Sequence, residues 1–233
     1  MPNPKVYIDG SAGTTGLRIQ ERLANRRDLD LNVLSYNDRR DEELRREATA
    51  AADLTILCLP DDAAVEAAAW ASESNTKVVD ASTAHRVNDD WTFGLPEMTP
   101  TQREKIRSTQ NVSNPGCYPT GMILSLRPII ENGLLGKDAP ITIHALSGYT
   151  GGGKKLIAKW EDERSDLVNL PFESPYALHT QHKHVPEMTK YAGLTHDPQF
   201  MPSVGPFSTG MRLEIPLHKA VLPETTTAND VWE

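Results

Sequence analysis

Lys5-Val6-Tyr7-Ile8-Asp9-Gly10-Ser11-Ala12-Gly13-Thr14-Thr15-Gly16 stands at the head of the chain. Its first five residues read as a short β-strand, and residues 17–27 read as a helix. Glycines at 10, 13 and 16 separate the two. A strand, a glycine turn and a helix in that order are the setting in which glycines mark a dinucleotide site. Glycine lets the backbone approach a pyrophosphate, and the helix N-terminus attracts its charge. The spacing departs from the usual G-x-G-x-x-G. Gly10, Ser11, Gly13, Thr14, Thr15 and Gly16 are the candidate cofactor contacts.

Working outward, strands are expected at 31–36, 54–59, 77–80 and 111–113, with helices at 41–52, 61–72 and 102–108. Residues 54–59 are apolar on both faces, as a buried parallel strand is. The alternation predicts a doubly wound, Rossmann-type α/β sheet. An NAD site usually carries an acidic residue at the end of its second strand. Here that strand is expected to run into Ser35-Tyr36-Asn37-Asp38-Arg39-Arg40. The hydroxyl of Ser35 and the guanidinium groups of Arg39 and Arg40 suit a 2′-phosphate, so NADP(H) is preferred to NAD. Asp38 is expected to pair with one of these arginines. Leu59 and Pro60 follow the third strand, on the carboxyl edge where ligands bind in such sheets. Asp61 or Asp62 is expected to cap the next helix. Cys58, inside the third strand, reads as a buried structural thiol. Asp80-Ala-Ser-Thr-Ala-His-Arg86 leaves the fourth strand on the same edge, and Arg86 is a candidate for an anionic substrate.

Asn114-Pro115-Gly116-Cys117-Tyr118-Pro119-Thr120 holds one of two cysteines in the 233-residue chain. Pro115 and Gly116 form a turn, and a helix is expected over 120–130, kinked or broken at Pro128. A thiol at a helix N-terminus meets unpaired N–H groups and the positive end of the dipole, which favour the thiolate. Cys117 is therefore the candidate nucleophile. The pattern then changes to β-like runs at 141–147 and 211–217 separated by glycine and proline loops. The expected organisation is an NADP-binding domain over 1–115 and an α+β substrate domain over 116–233.

Ser147-Gly148-Tyr149-Thr150-Gly151-Gly152-Gly153-Lys154-Lys155 combines glycines, hydroxyls and lysines in a nest suited to phosphate or carboxylate. His182-Lys183-His184-Val185-Pro186-Glu187 precedes a proline-started helix. In an extended segment its two imidazoles share one side. One is expected to exchange a proton with Cys117 while Glu187 orients it.

The formal charge of −8 argues against nucleic acid or an anionic membrane as partner. No apolar run reaches the roughly 20 residues of a membrane span, and the first residues lack a secretory signal pattern. Two distant cysteines make no disulfide framework, and no Cys/His spacing suggests a metal. The expected compartment is the reducing cytoplasm.

Together these residues resemble N-acetyl-γ-glutamyl-phosphate reductase of the shorter type. The likeness is carried by 10–16, 80–86, Phe93-Gly-Leu-Pro-Glu97, 114–120, 147–153, 182–187 and Pro202-Ser-Val-Gly-Pro-Phe207, in the family's order. It implies arginine biosynthesis, and a substrate domain shared with aspartate-semialdehyde and glyceraldehyde-phosphate dehydrogenases. It also implies a Cys117 thioester that releases inorganic phosphate from an acyl phosphate and accepts hydride from NADPH. By the same resemblance both histidines act together, and Arg86, Asn114, Ser147, Gly148, Gly151 and Gly152 hold the substrate. A homo-oligomer, dimer or tetramer, is expected. Family members run several tens of residues further, so the chain is expected to be truncated. The competing readings are a related aminoadipate-type or aspartate-semialdehyde enzyme, a non-catalytic NADP-binding redox sensor, and a cysteine hydrolase.

Overall fold

The computed structural model describes residues 2–166 and 172–232. The chain divides into two compact units, Met1–Pro115 and Gly116–Glu233.

In the first unit the strands are β1 (Lys5–Asp9), β2 (Asp30–Asn32), β3 (Leu54–Leu57), β4 (Lys77–Asp80), β5 (Thr92–Phe93) and β6 (Asn111–Ser113). Between them run α1 (Thr14–Leu23), α2 (Glu42–Ala50), α3 (Asp61–Glu73) and α4 (Gln102–Ser108). The strands form one sheet in the order β2-β1-β3-β4-β6-β5, every neighbouring pair parallel. This is the doubly wound order, with the chain reversing direction across the sheet from β1. Ala64, Ala67 and Ala71 give α3 a stripe of small side chains, so the helix sits close on Leu57 and Val78, with Trp70 and Trp91 closing the layer.

Several boundaries differ from expectation. Helix α1 begins at Thr14 and not at 17, because Gly13 supplies an extended N-cap (φ −75°, ψ 166°) and the helix starts within the glycine turn. Strand β2 stops at Asn32, and the following residues turn into a short 3-10 helix, Asp38–Arg40. Strand β3 stops at Leu57, so Cys58 lies one residue past it and is only half-buried. The two-residue β5 was not foreseen, being too short to show a period.

Gly10 sits at φ +83°, a region that L side chains rarely adopt, and a Cβ there would overlap the Cys58 carbonyl oxygen. At Gly16 a Cβ would lie 2.5 Å from the Gly10 carbonyl oxygen. These two glycines let the turn fold flat onto the end of β3 and let α1 start directly over it. Gly10→Ala is expected to lower the stability of this unit by on the order of 3 kcal/mol, from strain plus backbone overlap. A urea unfolding midpoint equal to that of the parent would contradict this.

The second unit holds α5 (Cys117–Glu131), β7 (Thr142–Gly148), α6 (Lys154–Glu161), β8 (Ser174–Pro175), α7 (Val185–Ala192), β9 (Gln199–Gly205), β10 (Met211–Glu214) and α8 (Ala228–Trp232). Its sheet has the order β10-β7-β9-β8. The central pair is parallel and both outer pairs are antiparallel. Strand β9 was not anticipated, since Pro202 interrupts its apolar pattern. Tyr118, Met122, Leu126 and Ile130 fall at i, i+4, i+8 and i+12 along α5 and are buried, as are Val185, Met188 and Ala192 of α7. Ile143, Ala145 and Phe200 of the sheet are also buried, and Tyr118 meets Phe200 edge-on at 5.1 Å.

Helix α5 corrects the expected 120–130 at both ends. It starts at Cys117 itself, with Gly116 as an extended N-cap, because Pro119 falls in the first turn, where an N–H is not needed. It also runs through Pro128 without breaking. Pro128 removes the helical donor for the Leu124 carbonyl, and Leu124 lies on the exposed face of the helix. Asn132 Nδ2 closes the end by donating to the Pro128 carbonyl at 2.8 Å.

Candidate functional site

At the carboxyl edge of the first unit, α1 opens with no side-chain cap and no acidic residue in its first turn. Thr14, Thr15 and Gly16 are the first three helical positions, where amide groups point out of the helix end. Gly13 N–H donates to the Gly10 carbonyl at 3.0 Å, which closes the turn below them. Ser11 is buried in the turn. Leu59 Cδ2 would lie 3.1 Å from a Cβ at Gly10, so Leu59 packs directly against the turn, and Pro60 is the N-cap of α3. Asp61 does not cap this helix as expected. Its carboxylate reaches the loop after β4, where Oδ1 accepts Thr83 N–H at 2.9 Å and Oδ2 accepts the Thr83 hydroxyl.

Beneath the turn lies a pair that the sequence did not reveal. Asp9, almost fully buried at the end of β1, accepts Arg45 Nη2 at 2.9 Å and Nε at 3.2 Å. Arg45 in turn lies 4.9 Å from the Trp70 ring centroid. The pair cancels a carboxylate that would otherwise repel an anion at the turn. Burial, followed by the Asp9 charge, pushes the neighbouring Tyr7 phenol well up.

Ser35, Arg39 and Arg40 lie in the turn after β2, past the strand end that was expected to carry them. Asp38 makes no ion pair among the described residues, contrary to expectation. It accepts the Ser35 hydroxyl at 2.7 Å. Arg39 donates from Nε to the Tyr36 carbonyl at 3.2 Å and lies 4.3 Å from the Tyr36 ring centroid. Arg40 is exposed.

The loop after β4 is braced from inside. Fully buried Asp80 accepts Ser82 N–H at 2.8 Å, Ser82 Oγ at 2.6 Å and His85 Nδ1–H at 2.6 Å. His85 stacks on Trp91 at 3.9 Å and 11°. Arg86, read as a loop arginine, is buried. Its Nε donates to the Asn114 carbonyl at 3.0 Å and its Nη2 to the Ala81 carbonyl at 3.2 Å. Asn114 N–H donates to the Asp80 carbonyl at 2.7 Å. Arg86 thus ties the loop to the segment that leads into the cysteine turn.

The two cysteines differ sharply. Burial, then the charges of Asp80 and Asp9, pushes the Cys58 thiol up to about 11, which keeps it protonated. Cys117 is exposed at the first position of a 15-residue helix with no acid in its first turn. Its turn is fixed from α7: Gly116 N–H donates to Glu187 Oε2 at 3.0 Å, and Glu187 is only 1% exposed. The same short helix carries the histidines on its entering turn.

Those histidines do not lie in an extended segment, as expected. Val185 N–H donates to the His182 carbonyl at 2.9 Å, and His184 takes helical angles as N-cap (φ −86°, ψ −15°). The turn, not strand alternation, brings the rings to 4.6 Å at 69°. Tyr118, next to the nucleophile, meets the edges of His182, His184 and Phe200 at 6.3, 5.8 and 5.1 Å. Tyr176 approaches His182 at 5.6 Å. Burial, then its hydrogen bond to Tyr118 and the charge of Cys117, pushes the Tyr176 phenol far up. The structure therefore gathers Cys117, His182, His184 and Glu187 in one unit, with Tyr118, Tyr176 and Phe200 as a shell that the sequence did not suggest. Tyr118 stood beside the cysteine as a visible signal. Tyr176 and Phe200 offered none.

Ser147 is the next-to-last residue of β7 and pairs with Val204 on one side and Met211 on the other. The loop after it is pinned to 207–210: Gly148 N–H to the Gly210 carbonyl at 3.0 Å, Tyr149 N–H to Phe207 at 3.0 Å and Thr150 N–H to Ser208 at 3.1 Å. Gly151 and Gly152 sit in the 3-10 turn that feeds α6. No group of His, Cys, Asp or Glu among the described residues is placed to hold a metal ion, and no described helix is long and apolar enough to cross a membrane.

Residues 5–108 match the family model described as "Semialdehyde dehydrogenase, NAD binding domain", and residues 117–233 that described as "Semialdehyde dehydrogenase, dimerisation domain". The fold agrees with solved aspartate semialdehyde dehydrogenases. The type II enzyme of Vibrio cholerae gives a TM-score of 0.68 at 18% identity, over 92% of this chain and 74% of that one. The Candida albicans enzyme with NADP gives 0.67 at 16% identity, over 99% and 75%. A nucleotide-type α/β unit followed by a unit that opens on an exposed helix-end cysteine is thus a semialdehyde dehydrogenase architecture. Among named relatives, N-acetyl-gamma-glutamyl-phosphate reductase 2 of Nostoc sp. is 48% identical over 237 residues, all of this chain and 73% of that protein. The Sinorhizobium medicae reductase is 48% identical over 92% of this chain and 70% of its own length. The chain belongs to the N-acetyl-γ-glutamyl-phosphate reductase family.

Proposed function

We propose that the protein reduces N-acetyl-γ-glutamyl phosphate to N-acetylglutamate 5-semialdehyde with NADPH, through a thioester on Cys117. The observation that carries this is Cys117 at the first position of α5, its turn held by Glu187 from the helix whose entry carries the His182/His184 pair. Relatives with that reductase name match at 48% identity, whereas the aspartate semialdehyde dehydrogenases above match at 16 and 18%, a likeness of fold. An uncapped, acid-free helix end over a flat glycine turn in the first unit supports the nucleotide, with Arg39 and Arg40 of the turn after β2 assigned to the 2′-phosphate. When bound, NADPH supplies a hydride to the substrate's carbonyl carbon.

The chain's own residues do the rest. The Cys117 sulfur attacks the acyl carbon, the carbon–oxygen bond to phosphate breaks, and inorganic phosphate leaves. An imidazole of the pair takes the thiol proton. The positive end of α5 faces the charge that develops on the carbonyl oxygen. After reduction the carbon–sulfur bond breaks, the aldehyde departs and the thiolate is restored. In this reading Arg86, Asn114, Ser147, Gly148, Gly151 and Gly152 hold the acyl phosphate. The dimerisation-domain match over 117–233 supports a homo-oligomer, dimer or tetramer.

The test is NADP reduction by N-acetylglutamate semialdehyde. It is expected to require inorganic phosphate or arsenate, and phosphate-independent turnover would overturn the reading. The nucleotide preference has its own test. Arg39→Ala with Arg40→Ala is expected to raise KM for NADPH by about 10- to 100-fold, from loss of charge-assisted bonds to the 2′-phosphate, with little effect on NADH. Equal losses for both nucleotides would remove the argument for the phosphate.

A further inference from the structure

We propose that Asp38 is a specificity-determining residue of the nucleotide site, and that its charge holds down the preference for NADPH over NADH. The proposal rests on the nucleotide reading above and goes beyond it, since that reading assigns the turn after β2 to the 2′-phosphate through its hydroxyl and its two cations.

The turn carries two arginines and an acid that pairs with neither. Arg39 is fixed: Nε donates to the Tyr36 carbonyl and the guanidinium lies over the Tyr36 ring, so Nη1 and Nη2 are the nitrogens left to meet a ligand. Asp38 instead engages Ser35. Its Oδ2 accepts the Ser35 hydroxyl at 2.7 Å, and its N–H donates back to Ser35 Oγ at 3.3 Å. A hydroxyl has one proton, and Ser35 gives its proton to the carboxylate. While this bond stands, Ser35 has none to offer a phosphate oxygen. A phosphate that reaches Ser35 also comes close to the Asp38 carboxylate, like charge against like.

The carboxylate is not needed to shape the turn. Arg39 N–H donates to the Ser35 carbonyl at 3.0 Å and Asp41 N–H to the Asp38 carbonyl at 2.9 Å, so backbone bonds close it. Nor does Asp38 cap the next helix. That is Asp41, whose Oδ1 accepts Leu44 N–H at 3.1 Å. What remains for Asp38 is its effect on a ligand. An acid past the second strand is the ordinary acceptor for a ribose 2′-OH, which NADH has and NADPH carries as a phosphate ester. The turn thus holds two kinds of recognition: cations for the phosphate, and an acid that favours the bare ribose and opposes the phosphate. One charge facing a phosphate of about −2 at roughly 6 Å in water changes affinity about tenfold.

Asp38→Asn is the test, because it keeps an oxygen for the Ser35 hydroxyl and removes the charge. Dissociation constants for NADPH and NADH are measured by fluorescence titration of the chain without substrate. The variant is expected to bind NADPH about tenfold more tightly and NADH about threefold more weakly. In about 0.5 M NaCl the gain for NADPH is expected to shrink to about threefold or less, as screening of an exposed charge requires. Asp38→Ala, which also frees the Ser35 proton, is expected to gain at least as much for NADPH. If the ratio of the two constants moves by less than about threefold in both variants, the proposal is overturned and the nucleotide site stands. An equal loss for both nucleotides makes Asp38 a turn-former and overturns it too. A parent that binds neither nucleotide overturns the reading beneath the proposal, and the proposal with it.

Discussion

Cys117→Ser is expected to lower kcat by on the order of 10⁴-fold or more. A serine hydroxyl is hardly ionised at neutral pH even at a helix end, and it forms an ester where the reaction needs the more reactive thioester. The substitution removes one exposed atom type and leaves no cavity, so stability should change by no more than about 0.5 kcal/mol. Nucleotide binding to the glycine turn of the first unit should survive. The decisive readout is covalent. Incubated with the acyl phosphate and no nucleotide, the parent should gain the mass of one acyl group on the peptide containing Cys117, and the variant should not. Turnover by the variant within tenfold of the parent would sink the nucleophile assignment. Cys58→Ser is the internal contrast: that thiol is held protonated, and its loss should leave acylation untouched.

The second large effect is expected at Glu187. Its carboxylate is the acceptor for Gly116 N–H, the residue before the nucleophile, from a position 71 residues away in the chain. Glu187→Ala strands a buried amide. That costs about 1–3 kcal/mol of stability. It also frees the turn that aims the sulfur, and a displacement of about 1 Å in reacting geometry is worth about 10²-fold in rate. Glu187→Gln keeps an acceptor oxygen and should restore most of both losses. If glutamine is as poor as alanine in kcat while folding as well as the parent, the carboxylate acts through its charge on another group and not through this bond. The experiment therefore separates a positioning residue from an electrostatic one.

These two residues also mark how far the sequence could be read. Cys117 was legible because its cause is local: glycine before it, proline after it and an apolar helix beyond. The strand–glycine–helix opening was legible for the same reason, and so was the alternation that predicts the parallel sheet. The bond from Glu187 to Gly116 was not, since nothing near either residue names the other. The same holds for Asp9 with Arg45, and for Tyr176 and Phe200 beside His182. The histidine pair was found for a wrong geometric reason. Alternation along an extended segment and a turn at a helix entry both bring i and i+2 together, and only the structure distinguishes them. Element ends shifted where one residue's backbone governs them: Gly13 started α1 early, and Pro119 let α5 begin at the cysteine. The burial of Arg86 was not legible in its loop because its carbonyl partners are backbone atoms, which leave no trace in composition.

The ion pair under the glycine turn bears on how this unit is assembled during synthesis. Asp9 belongs to β1, its partner Arg45 to α2, and Trp70, which Arg45 covers, to α3. Asp9 and the glycines that shape the turn leave the ribosome before Arg45, which follows Asp9 by 36 residues, and the indole comes later still. A nascent β1–α1–β2 segment would thus hold the turn over an unneutralised, unburied carboxylate. Such a segment gains little by docking early, and the anion cradle is finished only when three successive strand–helix units are present together. The unit is expected to fold as one cooperative block after α3 has been made.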